Sequence, residues 1–75
     1  MNTVMIGKII KRHRDNKGIS QEVLSGLADV DTSYLCKIEA GAHNLSVMVL
    51  YKIADALGIS ASDILRAAEE LEKEG

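Results

Sequence analysis

"SQEVLSGLADVDTSYLCKIEAG", residues 20–41, reads as two short helices with only a few residues between them. Ser20 suits the cap of the first, because its hydroxyl can accept a hydrogen bond from a free backbone N–H of the opening turn. Glu22 puts negative charge where the helix dipole favours it. Val23, Leu24 and Leu27 supply an apolar face over roughly 21–27. Asp31 stands at the cap of the second helix, roughly 32–39, which carries Leu35 and Ile38, and Gly41 follows where a chain leaving a helix adopts positive φ. Helices this brief are not stable alone in water. Two in succession, set at an angle by a tight turn, hold only if other helices clamp them.

The rest of the chain offers those clamps. In "MNTVMIGKIIKRHR", Ile6, Ile9 and Ile10 lie on one side and Lys8, Lys11, Arg12 and Arg14 largely on the other, which predicts a helix over roughly 3–16 that stops at the turn around Gly18. Ser46 caps a helix at roughly 47–57, with Val47, Leu50, Ile53, Ala54 and Leu57 at three- and four-residue steps and Gly58 at its end. Ser60 and Asp63 make a capping-box-like pair before a last helix at roughly 61–72, and "EELEKEG" is expected to be a frayed end. No strand-like alternation competes. The 75 residues read as one all-α domain of five helices, spanning 1–75. Without Trp, Phe or Pro, the core must come from Leu, Ile, Val, Met and Ala. So short a chain buries only about 60% of its unfolded surface, and self-association would help it.

The net charge of −2 argues against indiscriminate attraction to nucleic acid, but it is unevenly spread: residues 1–20 carry +4, residues 21–45 carry −3 and residues 46–75 carry −3. One cysteine, Cys36, excludes an intramolecular disulfide and fits a reducing compartment. No secretory signal or run of 18 apolar residues is present, so a cytoplasmic location and no membrane association are expected.

Ser20-Gln21-Glu22, Leu24, Val30, Tyr34-Leu35, Ile38-Glu39 and Gly41, followed by Asn44-Leu45-Ser46 and "LYKIADALGIS" at 50–60, closely resemble the Cro and phage-repressor type helix-turn-helix domain, the XRE family. The resemblance runs from about Ile6 to Leu65. It implies a five-helix, lambda-repressor-like DNA-binding fold with the helix-turn-helix at helices 2 and 3. Its partner would be double-stranded DNA, and its role that of a stand-alone phage-type repressor or a restriction-modification controller protein. The second helix of the pair would enter the major groove while the first crosses the backbone. On the family pattern, Thr32, Ser33 and Lys37 face bases, with Lys37, the only cation of that helix, favoured over the two hydroxyls. Gln21, Arg14, Lys17, Tyr34 and Asn44 fall at phosphate-contacting positions, and Arg14 pairs with Glu39.

Each role has a plainer rival: an exposed polar residue for Gln21, first-turn hydroxyls for Thr32 and Ser33, a packing ring for Tyr34, a turn residue for Asn44 and a solvated charge run for the basic helix. Four positions depart from the family. Asp29 replaces the usual turn Gly, Ser25 a usual Ala, His43 a frequent Arg, and Asp31 brings negative charge to the groove entrance. The alternative function is a protein-binding module that keeps the fold without specific DNA binding. An enzyme is not expected, for there is no P-loop or nucleophile elbow. No metal or other cofactor and no small-molecule ligand is expected either, since His13, Cys36 and His43 lack zinc-ligand spacing. Ile64, Leu65, Ala68 and Leu71 form an apolar stripe on the last helix, which predicts a homodimer matched to a palindromic operator, with two recognition helices about 34 Å apart.

Overall fold

The computed structural model describes residues 2–42 and 45–74. Five helices follow in order: α1 (Thr3–Lys17), α2 (Gln21–Ala28), α3 (Thr32–Glu39), α4 (Val47–Leu57) and α5 (Ala61–Glu74). No strand occurs among the described residues, so the fold is the all-α, five-helix arrangement expected, with the helix-turn-helix at α2 and α3.

Side-chain caps start four of these helices. Asn2 Oδ1 accepts from the Met5 N–H at 3.2 Å, Ser20 Oγ from Val23 at 3.1 Å, Ser46 Oγ from Val49 at 3.1 Å and Ser60 Oγ from Asp63 at 3.0 Å. Asp31 differs from the sequence reading. It occupies the cap position of α3 and its carbonyl accepts from Leu35 at 3.0 Å, but its carboxylate makes no capping bond. The helix stops use left-handed backbone at Gly18, Gly41 and Gly58, and also at Asp29 (φ 55°), the one non-glycine in that region among the described residues.

α1 packs on α5, α3 and α4, and α2 packs on α4 and α3, so the isoleucines of α1 form the centre of the core. Ile6, Ile9 and Ile10 are buried against Leu24, Leu35, Ile38, Ile53 and Ile64. The predicted apolar face of α2 is corrected: Leu24 points inward, while Val23 and Leu27 are exposed, because α2 meets its neighbours through Leu24, Ser25 and Ala28. α5 continues to Glu74 through the acidic run. The accessible surface is 4471 Å², close to the roughly 4500 Å² typical of a monomeric protein of this mass, so one chain closes its own core.

Gly7 sets how closely α1 approaches α3. A Cβ placed there would overlap the Ile38 carbonyl oxygen and reach 3.0 Å from that of Glu39, so only glycine lets α1 lie directly on the end of α3.

Candidate nucleic-acid interface

Ser25 takes part in three of the bonds at the turn between α2 and α3. Val30 N–H donates to the Ser25 carbonyl at 3.0 Å, the Ser25 hydroxyl donates to the Glu22 carbonyl at 2.9 Å, and Ser25 Oγ lies 2.7 Å from Thr32 Oγ1. Because Ser25 has one proton and the Glu22 carbonyl takes it, Thr32 is the donor of the last bond. Ser25 is thus a buried staple across the turn rather than a neutral replacement for alanine. Thr32, expected to read a base, has its hydroxyl proton engaged inside the protein, which leaves the methyl group and an oxygen lone pair.

At the other end of α3, Glu39 puts a negative charge in the last turn, where the helix dipole opposes it. It is compensated by a network. Arg14 Nε and Nη2 donate to the two carboxylate oxygens at 2.8 and 3.0 Å, and Gln21 Nε2 donates to Oε1 at 3.1 Å. Arg14 Nη1 also donates to the Ile19 carbonyl at 2.8 Å and lies 3.4 Å from Asp15. With side chains 11% and 3% exposed, Arg14 and Glu39 form an enclosed, two-pronged pair joining the end of α1, the start of α2 and the end of α3. The hydrogen bond to Glu39, more than the Coulombic attraction that adds to it, raises the Arg14 ionisation above the ordinary arginine value, and burial opposes it. The pairing with Glu39 expected for Arg14 is present, and with three of its five N–H groups engaged inside the protein Arg14 positions α3. The Gln21 amide is likewise turned toward Glu39, to which one of its two N–H groups donates.

Leu35 and Ile38 are buried, and the opposite side of α3 presents Ser33, Cys36, Lys37 and Ala40, all exposed, at the i, i+3, i+4, i+7 spacing of one helical face. Lys37 is the cation of that face. Tyr34 is half-buried against the core edge, and Lys17 is exposed in the last turn of α1. Asn44 and His43 lie outside the described residues.

Lys11, which the charge pattern of α1 leaves undistinguished from Lys8 and Arg12, sits beside this face. It lines one shallow depression with Gln21, Cys36, Glu39 and Ala40, and another with Lys8, Arg12, Asp15 and Asn16. It therefore joins the outward face of α3 to the basic ridge of α1. The signal was present in the spacing, since Lys11 is four residues after Gly7 and three before Arg14, both of which touch the end of α3.

The expected dimer stripe is also corrected. Ile64 and Ala68 are 0% and 4% exposed, packed into the core of their own chain, so they are not available to a partner; Leu65 and Leu71 are half-buried. The exposed apolar side chains nearby are on α4. Val47, Met48 and Tyr51 are 67%, 69% and 57% exposed, and a shallow groove lined by Leu45, Leu50, Ala61 and Leu65 adjoins Val47 and Tyr51.

Two short helices stapled across a left-handed turn, the second braced at both ends and displaying a cation on its free side, define a helix-turn-helix DNA-binding domain. A helix-turn-helix family model matches residues 10–64, and the chain belongs to that family, the XRE type that its sequence resembles. Among its relatives are the uncharacterised HTH-type transcriptional regulator y4dJ of Sinorhizobium fredii, 32% identical over 88% of this chain and 86% of that protein, and control protein C.MunI of a Mycoplasma species, 34% identical over 99% of this chain and 100% of that protein. The crystal structure of the restriction-modification controller protein C.AhdI from Aeromonas hydrophila superposes with a TM-score of 0.81 at 35% identity, covering 83% of this chain and 94% of that one. The chain is a DNA-binding transcriptional regulator. None of its described helices is long and apolar enough to cross a membrane.

Proposed function

We propose that this protein is a cytoplasmic repressor or autoregulator that binds a palindromic operator as a homodimer, without catalytic activity, cofactor or small-molecule ligand. The observation that carries this reading is the outward face of α3, which holds Lys37 between small side chains and is kept rigid by the Arg14–Glu39–Gln21 network. Ser33 and Lys37 read base edges, with Thr32 contributing its methyl group. Lys11, Lys17, Tyr34 and the start of α2 hold the phosphate backbone, and Asn44 belongs with them by family position. Control proteins among the relatives support an autoregulatory role, in which dimerisation and copy number set operator occupancy.

Leu65 and Leu71, the outer part of the α5 stripe, together with Val47, Met48 and Tyr51 of α4, form the dimer surface in this reading. A second copy seated there sets two α3 helices one turn of DNA apart. The test has two arms. Operator affinity is measured across salt concentrations, where specific binding weakens with a slope of about −0.9 per neutralised phosphate. Met48→Glu is then examined by sedimentation and circular dichroism: a folded monomer with weakened operator binding is expected. Binding indifferent to salt, or a Met48→Glu dimer as tight as the parent, refutes the respective half.

A further inference from the structure

We infer that the α3 face reads a guanine beside a thymine in each half-site, Lys37 contacting the guanine and Cys36 the thymine C5-methyl group; this rests on the DNA-binding reading above. Cys36 and Lys37 are exposed and lie one helical turn beyond Ser33, at i+3 and i+4. Neighbouring positions splay by about 100° around the helix, so the two side chains address different places along the groove floor, where base pairs repeat about every 3.4 Å.

Their chemistry selects different edges. Lysine offers donors and no acceptor, and the major-groove edge that presents two acceptors is guanine, through O6 and N7. A free thiol behaves as a small apolar group with a weak donor, and the apolar feature of the groove floor is the thymine methyl. The other hydrogen-bonding candidate at the tip is reduced, because the Thr32 hydroxyl donates to Ser25 at 2.7 Å. Ser33 keeps its hydroxyl but discriminates weakly, since it suits several bases. The sharpest preferences in the half-site therefore come from the Cys36–Lys37 step.

The experiment selects binding sites from random duplexes and then replaces each thymine of the preferred half-site by deoxyuridine, which removes only the C5-methyl. For the parent protein, one thymine adjacent to a guanine is expected to weaken binding about fourfold per half-site, the worth of one buried methyl group, and the other thymines much less. In Cys36→Ser that ratio falls to near one, while Cys36→Val retains it; the guanine preference survives in both and is lost in Lys37→Ala. A duplex that enriches but shows no such thymine, or a methyl effect unchanged in Cys36→Ser, overturns this inference and leaves the DNA-binding reading intact. Failure of any duplex to enrich overturns both.

Discussion

Replacing Arg14 by methionine keeps the length of the side chain and removes its charge. Glu39, 3% exposed, then loses two of the three hydrogen bonds that its carboxylate makes among the described residues and the cation paired with it, while the Ile19 carbonyl loses its donor. Removing one partner of a buried pair costs about 3–5 kcal/mol. A chain of this length has roughly 4–11 kcal/mol of stability in total, so the variant retains well under its full margin. In urea, with a slope near 1 kcal/mol per molar, the midpoint followed by helix circular dichroism should fall by about 3 M or more. The double variant Arg14→Met with Glu39→Met should recover most of the loss, because an apolar pair leaves no buried charge. The Arg14 ionisation is raised, so its contribution is complete below the ordinary arginine value and lost only as pH climbs past the raised one; the comparison is made at pH 9, below both. A single-variant loss under about 1 kcal/mol, as expected of a solvent-exposed pair, or a double variant no better than the single, would refute the reasoning.

Gly7→Ala should cost about 1–3 kcal/mol, read as a lower urea midpoint, since the new methyl group overlaps the Ile38 carbonyl and pushes α1 off α3. Asp29→Gly should stabilise the chain by about 0.5–1 kcal/mol in the same assay, because glycine adopts the φ of 55° without the strain an L side chain carries there. Lys37→Ala and Lys11→Ala should differ in kind. The first costs about 1–3 kcal/mol of operator affinity and relaxes preference at one base pair; the second weakens all sequences alike and lowers the salt slope by about 0.9. Equal behaviour of the two in binding to operator and scrambled duplexes would contradict the separation of base-reading from backbone contact.

The helices were legible in the sequence because what starts and stops them is local. Ser20, Ser46 and Ser60 cap through hydroxyls that reach only three residues ahead, and Gly18, Gly41 and Gly58 adopt left-handed backbone that their own lack of a Cβ permits. The helix-turn-helix was legible for the same reason, with the added weight of its resemblance to a family. What periodicity fails to specify is the arc of each helix that its neighbours cover. Val23 and Leu27 lie beside Leu24 on α2, yet only Leu24 is buried; Ile64 and Ala68 belong to a stripe that looked free to meet a partner, yet α5 turns them into its own core. The functional face carries the same lesson. The family pattern already paired Arg14 with Glu39, but only tertiary contact shows that pair enclosed, with Arg14 also donating to the Ile19 carbonyl, while Lys11 and Lys17 stay exposed. Local hydrogen-bonding geometry settles where a helix begins and ends; which of its side chains remain available to a ligand follows from long-range packing, in which residues far apart in the chain compete for the same donors and the same buried volume.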